Sequence, residues 1–145
     1  LGLAGDSMDR LALLAKLHDI GKIAIPEAIL TKPGPLNDLE WEIIKKHPEI
    51  GFRIAQSSRE LAILAEEVLT HHERWDGAGY PKGLAGEKIP LLARIISIID
   101  AFDVMTHDRA YRTAISRAEA LDELNRCAGT QFDPKLVKVF TQMLD

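Results

Sequence analysis

The sequence predicts an all-α domain, one helical bundle spanning residues 1–145. Three observations carry that reading. Apolar residues recur at helical spacing where they form runs, as at Leu61, Leu64, Ala65 and Val68. Helix-start signatures punctuate the chain at Asn37, Ser116 and Asp133. No stretch alternates apolar and polar residues as a half-buried strand would, and no internal repeat is visible.

The elements run in this order. Leu11 to Asp19 is apolar nearly all round, which predicts a central buried helix. Pro26 to Leu30 can form one short turn, and "TKPGP" at 31–35 is a loop by composition. Asn37 with Glu40 three residues later makes a capping box that opens a helix through Lys46. Pro48 suits the first turn of the next helix, begun at His47. Ser57 or Ser58 is expected to cap a run that continues to His72. Pro90 opens a buried helix through about Met105. Ser116 and Glu119 form a second capping box, Gly129 is a helix stop, and Asp133-Pro134 opens the last helix. Between them lies a stretch without periodicity, from about Glu73 to Lys88. Irregular loops longer than roughly 12–15 residues in a compact domain are often functional.

Bulk properties narrow the function. At 145 residues the chain suits one domain and is short for two. A net charge of -4 gives no general electrostatic reason to bind polymeric nucleic acid or a membrane surface, so any anion site is local. No apolar run approaches the roughly 20 residues that span a bilayer. Cys127, the one cysteine, excludes an internal disulfide, fits a reducing compartment and suggests a cytoplasmic location. The chain has neither an initiator Met nor a signal-peptide pattern, and is expected to be a piece of something longer.

The histidines bear the chemistry. His18, His47, His71 and His72 all fall at predicted helix ends, and Asp100 interrupts the apolar run "ARIISIIDAFD". A carboxylate there is costly to bury unless it is paired, with Arg94 for instance, or binds a metal. Imidazoles and carboxylates projecting from several helices are the donor set of manganese, iron or zinc sites in bundles. Adjacent residues on a helix diverge by about 100°, so His18-Asp19 and His71-His72 can each serve neighbouring ions, or bind through one member while the other supports.

Six segments in this order resemble one family: "LHDIGKIAIP" (17–26), "LTKPGPL" (30–36), "KHPEIG" (46–51), "HHERWDGAGYP" (71–81), "GLAGEKIPLLARIISIIDAFDVMTHDRAYR" (83–112) and "AGTQFDPKLVKVF" (128–140). These are similar to the HD-GYP domains, a branch of the HD phosphohydrolase superfamily, and the likeness runs from about residue 11 to residue 140. The resemblance implies an HD-domain-like helical bundle that hydrolyses bacterial cyclic di-GMP to linear pGpG, and further to GMP. It implies two or three divalent ions, iron or manganese, held by His18, Asp19, His47, His71, His72 and Asp100, with Asp19 bridging two of them. Lys22 would contact the scissile phosphate and assist the leaving oxygen, which makes Lys22 and Asp19 the catalytic pair. Gly79, Tyr80 and Pro81 would form the substrate rim, Tyr80 as a stacking face for guanine. Arg109 and Arg112 would reach phosphate or guanine edges. Tyr111 and Trp75 read as packing residues, Trp75 with a place in the loop that could line the cleft. His107 reads as a surface residue and Cys127 as helix packing.

Two departures stand out. The family carries one or two further helices before the segment at Leu11, with a His and sometimes a Glu that complete the metal site; this chain starts too late to contain them. Ala110 replaces a usual proline in "THDRAYR". Family resemblance also implies an N-terminal regulatory domain in cis, while oligomeric state stays open. Two other functions remain in view: a signalling or partner-binding module that does not hydrolyse, and an HD-type phosphohydrolase with another substrate.

Overall fold

A computed structural model describes residues 2–145, which contain no strand. The helices are α1 (Gly5–Leu17), α2 (Glu27–Leu30), α3 (Asp38–Ile44), α4 (His47–Gln56), α5 (Ala65–Thr70), α6 (Leu91–Thr106), α7 (Arg117–Arg126) and α8 (Pro134–Leu144). Short 3-10 turns occupy Ile20–Ala24, Ala62–Leu64 and Gly86–Lys88. No described helix is long and apolar enough to cross a membrane.

Helix α6 is the axis of the bundle. Leu92, Ala93, Ile95, Ile96, Ile98 and Met105 are all buried along it, and α1, α5, α7 and α8 pack around it. Its apolar side chains meet Leu14, Leu64, Val68, Leu124, Phe132 and Val137 in one core. Each fully buried aliphatic side chain of this kind contributes about 1.5–3 kcal/mol.

The local start signals form as expected. Asn37 accepts from the Glu40 N–H while Glu40 accepts from the Asn37 N–H, each at 2.9 Å. Ser116 and Glu119 make the same reciprocal box at α7. Asp133 accepts from the N–H groups of Lys135 and Leu136 ahead of α8. Asp133 also receives Arg94 at 2.7 Å, so Arg94 is the partner of Asp133 and leaves Asp100 to other company.

Two expectations are corrected. Helix α1 starts at Gly5, not Leu11, and Leu14 is its one buried residue. Leu11 and Met8 instead line an apolar cleft of about 330 Å³ against α6 and α8, so the all-round apolar pattern reflects an open cleft and not a central position. The continuous helix expected from Ser57 to His72 is broken. Ser57 Oγ donates to Ile54 O at 2.6 Å, closing α4 instead of capping a new helix. The chain then turns, and α5 begins only at Ala65.

One close approach sets the site's geometry. A Cβ on Gly21 would lie 1.9 Å from His47 O and 2.7 Å from Gly51 N. Only glycine lets the 3-10 turn after Asp19 lie directly on α4. That contact sets Asp19 beside His47.

Candidate metal centre

Each of the sequence-expected ligands occupies a point where an element begins or ends, except Asp100 on α6. His18 ends α1, Asp19 leads into the 3-10 turn, His47 opens α4, and His71 ends α5 with His72 next in line. Helix ends suit this purpose because their side chains project past the last turn toward a common point.

The atoms converge closely. Asp19 Oδ1 lies 3.2 Å from His47 Nε2 and 3.4 Å from His71 Nε2. His47 Nε2 is 3.3 Å from His71 Nε2 and 3.1 Å from His72 Nε2. One donor atom from each of Asp19, His47, His71 and His72 falls within 4.8 Å of all the others. His18 Nε2 stands alongside, 3.4 Å from Asp19 Oδ2 and 3.6 Å from Asp100 Oδ1. Lys22 Nζ donates to Asp19 Oδ2 at 3.0 Å.

The donor set fits a cation. Nδ1 of His47 lies 2.7 Å from Ile44 O, and Nδ1 of His71 lies 2.6 Å from Val68 O. His18 Nδ1 lies 3.0 Å from Ala15 O. A carbonyl only accepts, so each Nδ1 carries a proton and Nε2 is the atom that each ring turns to the cluster. Lone pairs cannot satisfy one another: each Nε2 needs a second proton or a shared cation. Burial pushes His71 down, and pushes His72 down to about 3 with help from the charges of His71 and His47, so second protons are disfavoured there. His18 Nε2 and Asp19 Oδ1 are buried with no hydrogen-bond partner among the described residues. Metal–ligand bonds of about 2.1 Å place neighbouring donors about 3.0–3.4 Å apart in octahedral or tetrahedral geometry, which the observed spacings match.

The carboxylates are set to stay ionised. Burial alone would raise Asp19, but the imidazoles of His18, His47 and His71 and the Lys22 ammonium overcome it and hold the carboxyl well below its usual range. Asp100 is lowered chiefly by His18. His18 itself would be lowered by burial, yet Asp100 and Asp19 carry it up to about 10. A divalent ion would take over the charge that the proton supplies on His18.

Beside the cluster lies a cavity of about 660 Å³ whose walls include Lys22, Lys32, Trp41, His47, His72 and Tyr80. Tyr111 stands at its edge, 69% exposed, and is thus not the packing residue expected. A smaller cavity of about 220 Å³ opens on the other flank, between His18, Ser97 and Asp100.

The rim residues are distributed differently from expectation. Gly79 does give a close approach, but to its own chain: a Cβ there would lie 2.4 Å from Arg74 N and 2.6 Å from His72 O. Tyr80 stacks on the His72 ring, and Pro81 comes next through a cis peptide. Arg109 and Arg112 pair through their backbones on a tight turn. Arg109 reaches toward Asp103, and Arg112 lines a separate cavity with Glu119 and Glu123. Trp75 packs under the Arg94 guanidinium and does not line the 660 Å³ cavity.

Three residues escaped the reading of the sequence. Trp41, 48% exposed, and Lys32 line the cavity mouth, where Lys32 pairs with Glu40. Buried Glu73 accepts from the N–H groups of Lys82 and Leu84 at 2.7 and 3.0 Å and so closes the long loop. Trp41 did leave a signal, a large aromatic amid the charged residues of "NDLEWE".

The HD domain family model matches residues 1–136. A cyclic di-GMP phosphodiesterase of Thermotoga maritima is 42% identical over 99% of this chain and 39% of its own length. The cyclic di-GMP phosphodiesterase response regulator RpfG of Xanthomonas campestris is 44% identical over 94% of this chain and 37% of its own. A 3′3′-cGAMP-specific phosphodiesterase 2 of Vibrio cholerae is 42% identical over 99% of this chain and 28% of its own. The chain thus spans well under half the length of these relatives. The fold is that of a crystallised cyclic GMP-AMP specific phosphodiesterase of V. cholerae, V-cGAP3, at a TM-score of 0.75 and 24% identity, over 99% of this chain and 39% of that one. A helical bundle closed around paired His-Asp and His-His ends, with a Gly-Tyr-Pro loop at its edge, belongs to the HD domain family, in its HD-GYP branch.

Proposed function

We propose that this chain is the hydrolytic domain of a metal-dependent phosphodiesterase that opens cyclic di-GMP to linear pGpG, and then to GMP, in bacterial second-messenger signalling. The observation that carries the reading is the convergence of Asp19, His47, His71 and His72 on one donor cluster beside a basic and aromatic cavity. In this reading His18 and Asp100 complete a centre of two or three ions, iron or manganese. Relatives named as cyclic dinucleotide phosphodiesterases support it.

Bound ions would supply Lewis-acid neutralisation of the phosphodiester and activation of the attacking water. The protein's own groups do the rest. Asp19, ionised, balances the cationic centre, and Lys22 beside it donates a hydrogen bond to the phosphate and then to the leaving 3′ oxygen. Water adds to phosphorus, the P–O3′ bond breaks, and the 3′ oxygen takes up a proton. Trp41 and Tyr111 offer exposed rings on which a guanine can stack, and Lys32 stands at the mouth in an ion pair with Glu40. Of the two arginines on the turn that carries Tyr111, Arg109 enters the reading as a long side chain for the rim, whereas Arg112 lines a separate cavity. The cytoplasmic location rests on the single Cys127, and an N-terminal regulatory domain in the full-length protein rests on the resemblance.

A second substrate, 3′3′-cGAMP, is favoured by the relative of that name. Full-length protein loaded with manganese or iron should be incubated with each dinucleotide and the products separated by chromatography. Linear pGpG from cyclic di-GMP is the expected result. Turnover of 3′3′-cGAMP alone would transfer the proposal to that substrate, and turnover of neither would end it.

A further inference from the structure

We propose that Tyr80 is a positioning residue for His72, so that the Gly-Tyr of the long loop shapes the metal centre from outside. The proposal rests on the reading of His72 as a metal ligand.

Four imidazoles face the cluster, but they are not held alike. His18, His47 and His71 each fix their ring by directing Nδ1 at a carbonyl of the helical turn before them. His72 has no such bond among the described residues: its one hydrogen-bond-distance contact there is Nε2 to His47 Nε2. A ring with a free Nδ1 can rotate about χ2 and exchange tautomers, which spoils it as a ligand. Tyr80 replaces the missing restraint. Its ring lies over His72 with centroids 5.0 Å apart and planes 15° from parallel. The Lys45 ammonium stands 5.8 Å from the centroid of the same Tyr80 ring.

The loop is built to place that ring. Gly79 lies so close to the backbone of residues 72–74 that no side chain fits. The next residue, Tyr80, directs its N–H at His72 O at 3.4 Å. Glu73 gathers the far side of the loop through Lys82 and Leu84. The loop therefore folds back onto the histidine that precedes it, through backbone first and ring second. The Tyr80 face committed to His72 is not open to guanine, whereas Trp41 and Tyr111 offer exposed rings at the cavity.

The test is a double-mutant cycle read as manganese affinity of the full-length protein, by competition with a chelator. Tyr80→Phe keeps the ring and should bind manganese as the parent does. Tyr80→Leu should bind about 10-fold more weakly or worse, the usual effect of losing a support of a metal ligand. Gly79→Ala should weaken binding in the same direction by lifting the loop. In a His72→Ala background, Tyr80→Leu should cause no further loss, because its effect passes through His72. Unchanged affinity in Tyr80→Leu, or an equal loss with and without His72, would overturn the proposal. Full manganese binding by His72→Ala would instead remove the ligand assignment beneath it.

Discussion

His47 and His72 lie with ring centroids 4.9 Å apart, yet the chain holds them by different means. His47 belongs to a helix-built half of the site, together with His18 and His71. Each ring there is pinned by a carbonyl three or four residues away, and the restraint comes with the helix end itself. His72 belongs to a loop-built half, in which the restraint arrives from Tyr80 and depends on Glu73 and Gly79 to keep the loop in place. The helix-built half is secured by local structure. The loop-built half is secured by tertiary contact, and its His72 and Tyr80 share the wall of the large cavity with His47.

Removing the atom common to both halves should have the largest effect. Asp19→Ala should abolish metal binding and hydrolysis together, measured as metal content after gel filtration and as product formed. Next in size is a change that spares both halves and touches substrate alone. Trp41→Ala should raise KM by about 5- to 150-fold with kcat retained, the range expected for one lost base stack of ~1–3 kcal/mol, measured by steady-state kinetics. Glu73→Ala attacks the loop-built half at its anchor. Two part-buried N–H groups lose a charged acceptor, so urea unfolding should report a loss of about 1–3 kcal/mol.

Acidity separates the halves in the metal-free protein. His72 is held down to about 3, so below its unfolded value of 6.5 the unfolded chain takes up a proton that the fold refuses. Stability should therefore fall as pH drops from about 6.5 toward 3. His18 is held up to about 10 by Asp100 and Asp19 against the opposing effect of burial. Its contribution is complete below 6.5 and is lost as pH rises through about 10. Urea midpoints of chelator-treated protein at pH 5, 6.5 and 9 should peak at the middle value. His72→Ala should flatten the acid side, and His18→Ala the alkaline side. The smallest effect is reserved for Arg112→Ala, which should leave KM within about twofold, because that side chain lines another cavity.

The sequence was most readable where structure is decided within four residues. The boxes at Asn37 and Ser116 and the cap at Asp133 each form between neighbours, and they form as expected. The clustered Asp19, His47, His71 and His72 were legible only together: singly, a histidine or aspartate at a helix end has commoner uses, as Asp133 shows by capping α8. What escaped depends on distance along the chain. The spacing of Leu61, Leu64, Ala65 and Val68 persists through a 3-10 turn, so periodicity could not locate the break before α5. Leu11 read as part of a buried helix, yet it lines a cleft, because hydropathy records preference and not coverage. Tyr80 presented an aromatic face, and nothing local reveals that His72 takes it. Trp41 stands out among the charged residues of α3, but its place at the cavity depends on where α3 packs.

Gly21 carries no chemistry, but it lies where no other residue can. Because a single methyl group there would run into the carbonyl of His47, any substitution pries Asp19 away from the imidazoles it must meet. A random-mutagenesis screen for lost activity should return position 21 as often as the ligands themselves. Its hits would differ in kind: every donor atom intact, and the cluster simply too wide to close on an ion.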